Sequence, residues 1–133
     1  MQISASIKNS FNQHDVIVST NDNQKQIDIA AKAGGFGSSI NGGELLFLSL
    51  ATCFCNDIYR EAARRNITIQ SIEVNVTGEF GKEGEPSSNI VYGVNIQSEN
   101  AKDDIQQLIN DVDKIAEVHN TLRQGINITL KNY

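Results

Sequence analysis

The chain has 133 residues, of which 39% are hydrophobic and 20% are charged, a composition that suits one globular domain. A net charge of −5 and a pI near 4.9 argue against nucleic acid and anionic membrane as main partners. The longest apolar run, residues 45–55, is too short to span a bilayer, and the N-terminus lacks the apolar core of a signal peptide. We therefore predict a cytoplasmic protein with a single domain over residues 1–133. Its two cysteines are expected to be thiols and not a structural disulfide.

Three strands are predicted in the N-terminal part of the chain. Apolar and polar residues alternate in residues 3–7 and again in residues 25–30, while residues 15–20 are rich in β-branched side chains. The Asn-Asp-Asn sequence at 21–23 is typical of a tight turn. Residues 32–43 contain five glycines and no complete phosphate-binding motif, so we interpret them as a flexible loop that leads into the next element.

A long helix is predicted over residues 41–66. Asn41 is a good N-cap, Glu44 stands at capping-box spacing, and Asn66 suits a C-terminal stop. Residues 45–55 are apolar on almost every side, which is typical of a helix that is buried all round. We predict that this is the central helix of the fold.

The C-terminal half predicts a hairpin, a second helix and a closing strand. Residues 72–76 and 90–96 alternate around a polar loop, and residues 126–130 alternate again. Between them, Asn100 is a candidate cap for a helix with one apolar stripe that ends near His119 and Asn120. The order β-β-β-α-β-β-α-β indicates an α+β fold with a largely antiparallel sheet. One sheet and one other helix can hardly bury the central helix on every side, so we also predict a homodimer in which two central helices pack together.

The candidates for chemistry are the two cysteines of the central helix. Cys53 and Cys55 are about 200° apart around a helix axis, so they point to opposite sides and can neither form a disulfide nor share a metal. The two histidines, His14 and His119, have no ligand spacing, and we predict no metal and no cofactor. For His119 the residues favour a favourable position at a helix C-terminus.

The ionisation of Cys53 is left open by the residues around it. Asp57, one turn on, would raise the thiol pKa, whereas Arg60, two turns on, would lower it. A buried cysteine that serves only as a small hydrophobe is the alternative to a reactive thiol.

Two motifs resemble the OsmC/Ohr family. The helix entry Asn-Gly-Gly-Glu-Leu-Leu at 41–46, followed by Leu-Ala-Thr-Cys-Phe at 50–54, resembles the family's Asn-Pro-Glu-Glu/Gln-Leu and Ala-Ala-Cys-Phe. The stretch Asn-Thr-Leu-Arg-Gln-Gly-Ile at 120–126 resembles its second motif, Cys-Pro-Val-Ser-Asn-Thr-Leu-Arg. The resemblance implies an intertwined homodimer in which sheets wrap two central helices. It also implies reduction of organic hydroperoxides by a reactive Cys, with a resolving Cys on the second helix and an Arg and a Glu beside the reactive thiol.

Carried over by position, the resemblance assigns the reactive thiol to Cys53. The resolving position falls on Ala116 and the position of the catalytic Glu falls on Gly43, with Glu44 one residue away. No arginine precedes Arg60, so the strand arginine of the family has no counterpart. The candidate catalytic residues are therefore Cys53, Cys55 of the partner subunit as a replacement resolving thiol, and Glu44.

Three functions remain open at this point. The first is a divergent thiol-dependent hydroperoxide reductase in oxidative-stress defence, with Cys53 as nucleophile and a small apolar hydroperoxide as substrate. The second is a dimer with the OsmC fold that binds a small molecule without catalysis, because the peroxidase residues are missing. The third is a structural dimer whose cysteines only pack.

Overall fold

A computed structural model describes residues 1–131 and contains, within them, five strands and three helices. The chain divides into two units, Met1–Leu45 and the part that begins at Leu46, and each is described by itself. The single domain expected over residues 1–133 stays a prediction. Within the described part of the chain, no helix combines the length and the apolar character needed to cross a membrane.

The N-terminal unit contains an antiparallel sheet of three strands in the order β1-β2-β3. The strands are β1 (Ile3–Ser10), β2 (Gln13–Thr20) and β3 (Asn23–Ile27). Asn12 and Asn21 adopt left-handed conformations in the two tight connections, which asparagine tolerates better than most residues. The three strands and the turn at 21–23 predicted from sequence are confirmed, although β3 ends three residues early.

Helix α1 (Gly42–Arg64) is bounded at both ends by the residues that the sequence indicates. The Glu44 N–H donates to Asn41 Oδ1 at 2.9 Å, and the Asn41 N–H donates to Glu44 Oε2 at 2.8 Å, so the capping box is confirmed. At the other end Asn66 is left-handed and the Ile67 N–H donates to the Ala62 carbonyl at 2.9 Å. This is the Schellman arrangement that ends a helix.

Helix α1 buries one face and not its whole circumference. Its buried residues recur at helical spacing: Leu50, Phe54, Asp57, Ile58, Glu61 and Ala62. On another face Leu48 is 56% exposed and Tyr59 is 44% exposed. The prediction of burial on every side is wrong for a single chain, because the elements of its own unit cover only one stripe of the helix.

The second unit holds the hydrophobic core. Strands β4 (Ser71–Phe80) and β5 (Ser87–Gln97) form the predicted antiparallel hairpin, and their alternating inner residues pack against the helices. Helix α2 (Lys102–Ile115) contributes its apolar stripe to the same core. The fully enclosed cluster consists of Phe54, Ile58, Ala62, Leu108, Val112 and Ala116.

The second predicted helix is in fact two helices. Helix α2 ends at Ile115, Ala116 is extended (φ −64°, ψ 106°), and helix α3 (Glu117–Gln124) follows. The prediction of one helix that ends near His119 and Asn120 is therefore wrong. The break lets both Ala116 and His119 enter the buried interior, which a continuous helical spacing of three residues would reach only on one side. The predicted Asn100 cap is also wrong, since its Oδ1 accepts from the Thr68 N–H at 3.1 Å and Ala101 takes the N-cap position.

The predicted closing strand is absent from the described residues. Residues 126–131 have no strand structure, and none of the described strands pairs with them. Ile128 and Leu130 are 99% and 91% exposed. Alternating residues alone do not make a strand, because the backbone needs a neighbouring edge with which to pair. The element order is β-β-β-α-β-β-α-α, and the α+β fold with antiparallel strands is confirmed.

Candidate functional site

The thiol of Cys53 faces the beginning of helix α3. It is partly exposed, and its Sγ donates toward Asp57 Oδ2 at 3.6 Å and lies 4.0 Å from Glu117 Oε2. The backbone N–H of Val118 donates to the sulfur. The sulfur therefore lies at a helix N-terminus, where N–H groups favour negative charge, and between two carboxylates that oppose it.

These influences together raise the pKa of the Cys53 thiol above its ordinary value. Burial is the largest cause, the Val118 N–H works against it, and the charges of Asp57 and Glu117 add to it. Arg60 does not offset them, since its guanidinium binds Asp57 Oδ1 at 2.7 Å. The direction that the sequence left open is thus upward.

Cys55 lies on the opposite side of α1 from Cys53. It lines a shallow surface depression with Ala51, Thr52, Asn56 and Val74, next to strand β4. Both cysteines are free thiols, as the spacing around the helix predicts. Within one chain, Cys55 is not in a position to resolve an oxidised Cys53, and its role across a dimer interface stays a prediction.

The other positions named by the resemblance have different surroundings. Glu44 uses its carboxylate in the capping box with Asn41, and its catalytic role stays a prediction. Ala116 is fully buried between α2 and α3 and immediately precedes Glu117, so it adjoins the residues that contact Cys53. The sequence reasoning missed Glu117, because its contact with Cys53 depends on the helix break at Ala116. The only sequence signal was its position directly after the expected resolving residue.

Three possible metal ligands lie together at this site. One donor atom each from Cys53, Asp57 and Glu117 falls within 4.8 Å of the others. A thiolate with two carboxylates can bind a divalent cation, and zinc in structural sites takes four ligands. Arg60, bonded to Asp57 at 2.7 Å, places a positive charge beside the cluster and opposes a cation there. The arrangement gives stronger support to a free thiol than to a metal centre.

His119 lies in the interior and not at a helix end. It is the third residue of α3, only 5% exposed, and its ring packs edge-on against the rings of Tyr92 and Phe54. Burial, followed by the nearby charge of Arg123, lowers its pKa, so the imidazole is held neutral. The predicted helix C-terminal role is therefore wrong for His119, whereas Arg123 does stand in the last turn of α3.

The fold and the site define a class of α+β proteins with antiparallel strands and a long helix that presents a thiol to a short helix. A family model described as "OsmC-like protein" matches residues 35–131. The chain therefore belongs to the OsmC family, which confirms the resemblance identified from its motifs.

Solved structures agree with this assignment. An OsmC-like protein from Mycoplasma pneumoniae is 28% identical, with a TM-score of 0.61 over 92% of this chain and 89% of that one. An organic hydroperoxide resistance protein from Legionella pneumophila is 15% identical, with a TM-score of 0.62 over 96% and 93% of the two chains. The organic hydroperoxide resistance protein OhrB of Bacillus subtilis is 18% identical, with a TM-score of 0.57 over 96% and 94%. Among curated proteins, none matches the chain.

Proposed function

We propose that this OsmC-family protein is a homodimeric hydroperoxide reductase that works with one cysteine, Cys53. The observation that carries the proposal is the half-buried Cys53 sulfur, which receives the Val118 N–H at the N-terminus of α3. That N–H stabilises the thiolate, which is the nucleophilic form of cysteine. Family members named as organic hydroperoxide resistance proteins share the fold and support the same chemistry.

The reaction balances with a hydroperoxide and an external thiol. The Cys53 thiolate attacks the distal oxygen of ROOH, the S–O bond forms and the O–O bond breaks, and the leaving alkoxide takes a proton to give ROH. The sulfenic acid condenses with a small thiol and releases water, and a second thiol then frees Cys53 as the small disulfide forms. Ala116 stands where the family's resolving cysteine would stand, which supports an external reductant.

The direct test is peroxide consumption by matched cysteine variants. With dithiothreitol as reductant, the wild-type protein is expected to consume cumene hydroperoxide, the Cys53→Ser variant none above background, and the Cys55→Ser control as much as wild type. Both serines replace partly exposed thiols on the same helix. If Cys53→Ser consumed the peroxide at the wild-type rate, the proposal would be wrong.

The exposed face of α1 supports the homodimer. Leu48 and Tyr59 are eleven residues apart, which brings them within about 20° of each other around the helix, and both are largely exposed. Cys55 lies on the same side of the helix. Leu48→Glu is expected to convert the dimer to a monomer in sedimentation velocity, because it would bury a charge in the interface. Lys102→Glu, an exposed change on α2, is the control and should leave the dimer intact.

A second function is favoured by the carboxylates beside Cys53. Asp57 and Glu117 hold the thiol pKa above its ordinary value, which reduces the thiolate at neutral pH. This charge arrangement supports a dimer that binds a small molecule without turnover. Such a protein would lose thiols to cumene hydroperoxide no faster than free cysteine does, whereas the reductase would lose Cys53 faster than that.

A further inference from the structure

A cavity lies between α1, β5 and α3 in the second unit, apart from the Cys53 thiol. Its volume is about 240 Å³, and its lining residues are Leu50, Ile90, Tyr92, His119, Leu122 and Arg123. Most of this lining is apolar or aromatic. Neither Cys53 nor its two carboxylate neighbours forms part of the wall, so an argument about this cavity does not depend on thiol chemistry.

His119 is the polar group in this wall that most needs an explanation. Its side chain is 95% buried, on the basis of 5% exposure, and among the described residues neither ring nitrogen has a hydrogen-bond partner. An unpaired buried polar group costs about 1–3 kcal/mol. The edge-on packing against Tyr92 and Phe54 can partly satisfy the ring's N–H through the aromatic faces. The acceptor nitrogen of a neutral imidazole gains nothing from a ring face, so it has use for a donor.

The charges around the cavity favour a neutral occupant. Arg123 Nη2 donates to Asp113 Oδ1 at 2.5 Å and Arg123 Nη1 donates to the Asp113 carbonyl at 2.9 Å. The hydroxyl of Tyr92 also donates to Asp113. The one cation of the wall is thus already paired with a carboxylate, and His119 carries no charge at neutral pH. An anionic ligand would have to displace Asp113.

The volume limits the occupant to a small molecule. Pockets for drug-sized ligands measure roughly 300–1,000 Å³, whereas an apolar cavity of about 150 Å³ takes a benzene molecule. At about 240 Å³ the cavity fits one aromatic ring or a branched alkyl group with a short polar substituent. The apolar wall would contact the ring, and the substituent would reach His119.

We propose that this cavity is a binding site for a small neutral alcohol with an aromatic or branched alkyl body, whose hydroxyl donates to the unpaired nitrogen of His119. The site is additional to the proposed peroxide chemistry, and a protein without any Cys53 reactivity would still bind the alcohol.

The test compares two fluorinated probes that differ by the hydroxyl group. Binding of 4-fluorobenzyl alcohol and of 4-fluorotoluene to the full chain is followed by ¹⁹F NMR. We expect the alcohol to bind with a Kd on the order of 1 mM or tighter. It should bind about fivefold more tightly than 4-fluorotoluene, the ratio that one net hydrogen bond provides. Absence of alcohol binding up to 10-fold above that concentration, or equal binding of the two probes, overturns the proposal.

Two variants locate the site. His119→Phe keeps a planar ring and removes the acceptor, so the two probes should bind equally. Leu122→Trp fills the cavity from a position that is 41% exposed and should abolish binding of both probes. Ile115→Trp, a substitution at a similarly exposed residue that does not line the cavity, is the control and should bind as wild type does. Retention of the alcohol preference in His119→Phe or in Leu122→Trp contradicts the proposal.

Discussion

Helix α3 contributes to two sites of opposite character within eight residues. Its first residues, Glu117 and Val118, contact a partly exposed thiol among carboxylates. Its later residues, beginning with His119, wall an apolar cavity that holds a neutral imidazole. At the first site charge decides reactivity, whereas at the second desolvation decides which partner fits. The comparison teaches that one helix break, at Ala116, creates both sites.

The largest expected change is a new reaction product from Ala116→Cys. This variant places a thiol directly before Glu117, which contacts Cys53. Treatment with one equivalent of cumene hydroperoxide should then give a disulfide between residues 53 and 116, detected by mass after proteolysis. Ala116→Ser, a control of nearly the same size, should give only sulfenic acid on Cys53. A sulfenic acid that persists in Ala116→Cys would show that the two positions do not meet.

A several-fold change is expected from Glu117→Gln. Glu117 is one of the groups that raise the Cys53 pKa, and its removal should lower that pKa. Two unit charges about 4 Å apart in a water-like dielectric interact by about 1 kcal/mol, so the thiolate fraction at pH 7 should rise by up to about fivefold. The rate of iodoacetamide alkylation at Cys53 against pH measures this. Asp104→Asn, an exposed change on α2, serves as control, and a Glu117→Gln profile that coincides with it would contradict the account.

The smallest expected effect concerns His119 and acid stability. Its pKa is lowered in the folded state, so the unfolded chain binds the proton more readily. The contribution to stability is full above the unfolded pKa of about 6.5 and is lost as pH falls through the folded pKa. The loss should be at most about 1.4 kcal/mol per pH unit in wild type and should disappear in His119→Phe. Urea unfolding at several pH values between about 7.5 and 5 measures it, and parallel curves for the two proteins would contradict it.

The sequence predicted those features that depend on local pattern. The capping box of Asn41 and Glu44, the hairpins and the opposed cysteines follow from spacing alone, and two motifs were enough to identify the family. The break at Ala116 was missed because its neighbours keep a helical spacing of apolar residues. The contact between Cys53 and Glu117 spans 64 positions in sequence, and it exists only because of that break.

Other features depend on partners that a pattern does not contain. Residues 126–130 alternate like a strand, yet no described strand offers them an edge. Helix α1 is apolar on most sides, yet its own unit covers a single face. The direction of the Cys53 pKa was undecidable from sequence, because it depends on Arg60 binding Asp57 and not the sulfur.

The most direct test of the central claim is the rate at which the reduced, native protein loses thiols to cumene hydroperoxide, with the oxidised residue located by mass. The account predicts that Cys53 forms sulfenic acid selectively and faster than a free thiol, and that Cys55 stays reduced. It also predicts a faster reaction as pH rises, because the pKa of the Cys53 thiol is raised. Oxidation of both cysteines at the rate of a free thiol would contradict the account and favour the non-catalytic binding protein.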